Sequence, residues 1–227
     1  TYPSVFPVSG FPTSFLKDIV VNTPEGLSVN PEALPQCKVS GFEEAKCLPE
    51  SLVGINYLTI AAQTPEEGKC EAGPEKTPVA GECLQARIAL PVYNLVPFEG
   101  VPSMVGFNTE GGPTFIVGSL SPVDQHVTFP LSAIHPPSAK SPPIIESRLV
   151  FFSAKATNLN PFADGTYLTM PSNCAGGQVS KINLDSQGPP YEEAASSTEA
   201  TYTTPTGASG CANVPFNPEI AVTADGG

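Results

Sequence analysis

Apolar positions along this chain come in short runs with a two-residue rhythm, broken by Pro and Gly. Phe15-Leu16-Lys17-Asp18-Ile19-Val20-Val21 reads as a strand, and Pro24-Glu25-Gly26 turns the chain after it. Leu52–Ala62 predicts another, with Val53, Ile55, Tyr57 and Thr59 on one face. Strands are then expected at Leu84–Val96, Pro102–Thr109, Thr114–Leu120, Val123–Pro130, Ile144–Thr157 and Thr166–Met170. Alternation over such lengths, bounded by turn residues, is the signature of half-buried strands.

The intervals carry their own signals. Ser40-Gly41-Phe42-Glu43 has the form of a capping box and predicts a helix of about two turns before Pro49. Gly111-Gly112-Pro113 predicts a tight turn and Pro136–Pro143 a Pro-rich crossover. Thr1–Gly10 reads as an extended, Pro-interrupted strand suited to an edge. Ser186–Gly210 is polar and of low complexity, which predicts a long loop. Long helices and internal repeats are not predicted. The pattern predicts one all-β domain over residues 1–227, a β-sandwich of jelly-roll or Ig-like, Greek-key type with long stapled loops and one short helix.

Composition sharpens this picture. Pro and Gly number 27 and 20, yet 40% of the residues are hydrophobic, so the punctuation belongs to a packed core and not to disorder. Charged residues make up 14%, against about 25% in an ordinary soluble domain. Lys and Arg total 10 against 22 Asp and Glu, a formal charge of −12. Nucleic-acid binding runs on phosphate neutralisation by cationic side chains, so this balance argues against it, and equally against attachment to an anionic membrane. No apolar run reaches membrane-spanning length, so membrane insertion is not expected. The first residue is Thr1, with no signal-like segment, which reads as a processed or trimmed chain.

The six cysteines fall into local pairs, Cys37/Cys47, Cys70/Cys83 and Cys174/Cys211. Zinc and thiol-redox sites both favour C-x-x-C spacing, which does not occur, and His126 and His135 are the only histidines. Disulfides between near neighbours are the reading that remains, each short loop stabilising the fold by roughly 3 kcal/mol on chain-entropy grounds. Disulfides persist in oxidising compartments, so an extracellular location is expected.

Chemistry-bearing patterns are sparse. Gly118-Ser119 with Asp124 and His126 approaches a hydrolase set but lacks the strand–turn–helix context of a nucleophile elbow. Glu43-Glu44, Glu66-Glu67 and Glu192-Glu193 read as solvated surface, and no D-x-D-x-D-G calcium loop occurs. Gly106–Gly112 lacks the Lys-Ser/Thr of a phosphate loop. No catalytic residue, metal or cofactor is expected.

Leu90-Pro91-Val92-Tyr93-Asn94-Leu95-Val96-Pro97, Gly106-Phe107, Arg148-Leu149-Val150-Phe151 and Pro171-Ser172-Asn173-Cys174 together resemble a module of large, secreted, multi-domain proteins of actinobacterial type. The resemblance implies secretion and modular β architecture, and supplies no catalytic residues. With the composition it leads to one expectation: a non-enzymatic structural protein of the cell surface, a filament or surface-layer subunit joined by strand addition. Its partners are then copies of itself or neighbouring modules of a longer chain, and the donor strands are drawn from Val5, Phe6 and Val8 or from Ile220 and Val222. The alternative is an adhesin or carbohydrate-binding module recognising cell-surface polysaccharide.

Overall fold

The structure is a computed structural model, and it describes residues 15–62, 84–109, 112–123, 126–131, 144–152, 165–172, 174, 176–187 and 194–211. Eleven strands appear among them: β1 (Phe15–Asn22), β2 (Ser28–Val29), β3 (Leu52–Ala62), β4 (Leu84–Leu95), β5 (Ser103–Thr109), β6 (Gly112–Leu120), β7 (Val127–Leu131), β8 (Ile144–Phe151), β9 (Leu168–Thr169), β10 (Val179–Gln187) and β11 (Ala194–Thr203). Nine join in one curled antiparallel sheet, in the order β11-β10-β1-β7-β6-β5-β4-β3-β8, and β2 pairs with β9 in a small separate sheet. The fold is all-β, as the alternation predicts. Its strands form one continuous sheet where two packed sheets were expected.

Bulges set which residues face inward. In β1 the register shifts between Leu16 and Asp18, which brings Leu16 into phase with Ile19 and Val21. In β3 a shift between Leu52 and Gly54 sends Val53 into the core while Tyr57 stays 43% exposed. The two do not share a face in the way simple alternation predicts. Gly54 is fixed by the approach of β8, because a Cβ there would overlap the Val150 carbonyl oxygen.

The core has two parts, one on each face of the sheet. Inside the curl, Val53, Val92, Val105, Phe107 and Ile116 pack with Leu34 and Tyr167. On the outer face Phe42, Cys37, Leu95 and Met104 pack together, with Tyr93, Phe115 and Val117 around them. Residues Ser103 to Phe107 of β5 are therefore buried on both sides. The cover on the outer face is the stretch around α1 (Val39–Glu43), the one α-helix among the described residues, whose Phe42 ring meets Phe115 and Tyr93 edge-on at 5.6 and 6.2 Å. Gly106 makes room for it, since a Cβ there would sit 3.0 Å from the ring.

α1 is one turn long, with Lys38 at its N-cap and no side-chain cap; Ser40 lies within it. The expected capping box does not form. Its function is taken by the Cys37–Cys47 disulfide, which spans the turn, and by Phe42. The second described disulfide, Cys174–Cys211, ties the lead-in of β10 to the chain beyond β11. Cys70 and Cys83 lie outside the described residues, as do Val5, Phe6, Val8, Ile220 and Val222. Ser186–Gly210, expected as a low-complexity loop, contains β11 instead. No helix among the described residues is long and apolar enough to cross a membrane. Two disulfides are what an oxidising, extracellular setting sustains.

Asn94, in phase with Val92 on the inner face, anchors the segment that leads into α1. It is fully buried in β4, and its Nδ2 donates to the carbonyls of Pro31, Leu34 and Pro35 at 2.7, 3.1 and 3.3 Å. The backbone beside it binds the same segment, with Cys37 N donating to Asn94 O and Val96 N to Cys37 O. These carbonyls flank a short 3-10 turn at Pro31–Ala33, where no continuing helix supplies them with donors. Asn94→Asp, which keeps the shape and removes the donors, is expected to destabilise the protein by about 3 kcal/mol in urea unfolding, and Asn94→Ala by about 2 kcal/mol. An effect under about 0.5 kcal/mol for both would remove Asn94 from this role.

Candidate functional site

The curl brings the inward faces of the two sheet ends toward each other around a half-open cavity of about 750 Å³. One wall is built by Ile19 and Val21 of β1 with Ile182 and Leu184 of β10. The facing wall carries Leu149 and Phe151 of β8 and Asn56 of β3. Phe107, Ile116, Phe129 and Leu131 of β5 to β7 form the back.

Strand register gives the cavity a direction. All neighbouring pairs in the large sheet are antiparallel, so strand ends collect at two poles. At one pole Asn22 pairs with Lys181 and Thr128, and Phe151 pairs with Gly54. Leu27 and Leu168, flanking or within the small sheet, close the cavity there as a floor. Thr23 also lines this end, and its hydroxyl accepts from Val127 N at 2.9 Å.

Polar lining gathers toward the opposite pole, where Leu16 pairs with Ser186 and Ile60 with Ile144. Ser147, Ser186 and Thr198 line the cavity on that side, and Asp185 and Glu146 adjoin them out of phase in β10 and β8. The Glu146 carboxylate accepts from Thr59 Oγ1 at 3.2 Å. Between floor and mouth sits Asn56, only 2% exposed, whose Oδ1 accepts from Ser147 Oγ at 3.0 Å. An amide in a wall of Leu, Phe and Ile is costly to bury unless its polar atoms are used.

The second feature is the sheet edge. β11 pairs with β10 from Val179↔Thr203 to Gln187↔Ala194, and among the described residues no strand pairs on its other side. Residues 197–203 are all exposed, and Glu199 is the only charge in the strand. Its ion pair with Lys181 spans 4.0 Å in solvent, where such pairs contribute little. The other edge, β8, carries Glu146 and Arg148 and follows Pro142-Pro143 in sequence. Charges and prolines are the usual protection of an edge strand; β11 has neither proline nor lysine.

Of the hydrolase-like set Ser119, Asp124 and His126, two residues are among those described. Ser119 sits on β6 opposite Thr128, His126 precedes β7 with its carbonyl accepting from Ser121 N, and Asp124 lies outside the described residues. No group of three His, Cys, Asp or Glu side chains able to hold a metal forms among the described residues. The disulfide partners Cys37–Cys47 and Cys174–Cys211 are as the sequence predicts, with Cα atoms 5.4 and 5.9 Å apart. The cavity was not foreseen, because its lining comes from strands far apart in sequence.

Tyr167 supports the floor. Its ring stacks on Phe151 at 5.6 Å and 12°, and burial pushes the phenol up to about 12. Ser103 nearby opposes that rise slightly, although neither hydroxyl reaches a partner at hydrogen-bonding geometry. A raised phenol pKa favours the neutral form in the fold, so stability is complete below pH 10 and falls as pH rises toward 12. Urea unfolding at pH 12 is expected to show a loss on the order of 2 kcal/mol relative to pH 9, largely absent in Tyr167→Phe. Equal alkaline losses in both proteins would assign the effect elsewhere. No protein-family model matches this chain, and no curated protein or solved structure matches it significantly.

Proposed function

We propose that this protein is a non-enzymatic, extracellular structural subunit of the cell surface, joined to copies of itself or to neighbouring modules by strand addition, with β11 as the accepting edge. The observation that carries the proposal is that edge: ten residues long, nearly uncharged and without the devices that keep edges apart. A peptide laid along it gains a ladder of main-chain hydrogen bonds that needs little from side chains. The donors are the extended terminal segments Thr1–Gly10 or Asn217–Asp225, which lie outside the described residues.

Further support comes from the floor pole, where the turns carry exposed apolar side chains. Phe98 lies between β4 and β5, Leu120 ends β6 and Val123 lies between β6 and β7, with Val123 92% exposed. Apolar residues gathered at one end of a sheet favour association. The resemblance to modules of large secreted proteins points the same way. Recognition of a small ligand is the second reading, favoured by the cavity; walls of Leu, Ile and Phe suit an apolar compound better than a polysaccharide, whose hydroxyls they would leave unpaired.

Ser197 and Thr201 pair with Asp185 and Lys181 and are exposed, so lysines there alter the edge and not the core. Ser197→Lys combined with Thr201→Lys is expected to abolish fibres or sheets seen by electron microscopy, and to shift light scattering to monomer, while unfolding stability changes by less than about 1 kcal/mol. Assembly equal to that of the unsubstituted chain, or a chain that stays monomeric at every concentration, would contradict the proposal.

A further inference from the structure

The cavity points to a ligand of defined chemistry, independently of how the sheet edges are used. We propose that it binds one long-chain acyl compound with an uncharged, hydrogen-bonding head, the tail directed toward Leu27 and Leu168 and the head among Ser147, Ser186 and Thr198. Its volume, about 750 Å³, is that of a small-molecule site, and protein interiors of this size lined by aliphatic groups are not left unfilled without loss of packing. Both long walls are aliphatic and aromatic, which selects an elongated apolar body.

Three observations select the rest of the molecule. Hydroxyl-bearing side chains line the mouth and Leu side chains the floor, so an amphiphile fits in one direction. Asn56, buried at 2% exposure part-way along the wall, meets an ester or amide carbonyl that a plain hydrocarbon would lack. The chain's formal charge of −12 disfavours carboxylate and phosphate heads.

The test titrates the full chain calorimetrically, at neutral pH and below micelle concentrations. The probes are monododecanoylglycerol, its octanoyl and decanoyl homologues, dodecanoate, and dodecylglycerol ether. Expected are one site per chain, affinity for the monoacylglycerols rising about fourfold per added CH2, and dodecanoate weaker by about tenfold. Leu184→Trp, which narrows the cavity from β10, is expected to weaken binding of the longest chain at least about tenfold without lowering the thermal midpoint. Asn56→Leu is expected to keep the dependence on chain length and lose the preference for monododecanoylglycerol over the ether. No binding, binding that ignores chain length, or binding unaffected by Leu184→Trp overturns the proposal. So does binding that appears only after deletion of residues 1–14, which would make that segment the occupant.

Discussion

A sheet that curls without closing has two edges and an interior that its own strands do not fill, and most of this structure follows from that constraint. Nine antiparallel strands run from β11 to β8, and among the described residues neither end pairs with the other. Closure would satisfy the outer main-chain groups of both edges and shrink the interior. Without it, each edge needs its own disposition and the space between the sheet ends stays open on one side. β8 meets the first requirement with charged residues, and β11 leaves it unmet. The cavity is the second consequence, lined by strands from both ends of the sheet.

The middle of the sheet supplies the rigidity that the ends lack. β5 is covered inside by the main core and outside by Phe42 and its neighbours, so it is buried on both faces as few antiparallel strands are. That outer cover is a one-turn helix too short to be stable by itself. Three things hold it: the Cys37–Cys47 link across its ends, the Phe42 ring set over Gly106, and the Asn94 side chain beneath the preceding carbonyls. A small cluster of covalent and polar restraints thus stands in for the second layer that a two-sheet sandwich would provide.

Much of this was legible in the sequence, for a definite reason. β1, β3, β4 and β5 are rich in aliphatic and aromatic residues, so their limits fall within a residue of the expected ones. β11 was missed because it is largely polar on both faces, and β10 because Ile182 and Leu184 alone carry its inward apolar rhythm; a strand held mainly by its ladder leaves little apolar signal. The bulges at Lys17 and Val53 change phase inside a run and so defeat simple alternation. Ser40 carried a capping signal that the fold does not use, because a disulfide and a buried ring fix α1 before a cap is needed. The cavity lining had no local signature, since Leu16, Asn56, Leu149 and Leu184 meet only when distant strands face each other.

The central claim is that β11 is an open edge that pairs between molecules. Amide hydrogen exchange along β11, followed in dilute monomer and in assembled material, tests it most directly. The account predicts that alternate amides, those pointing away from β10, exchange rapidly in the monomer and become protected on assembly, while the β10-facing amides change little. Outward amides already protected in the monomer, or equally fast in both states, would contradict it.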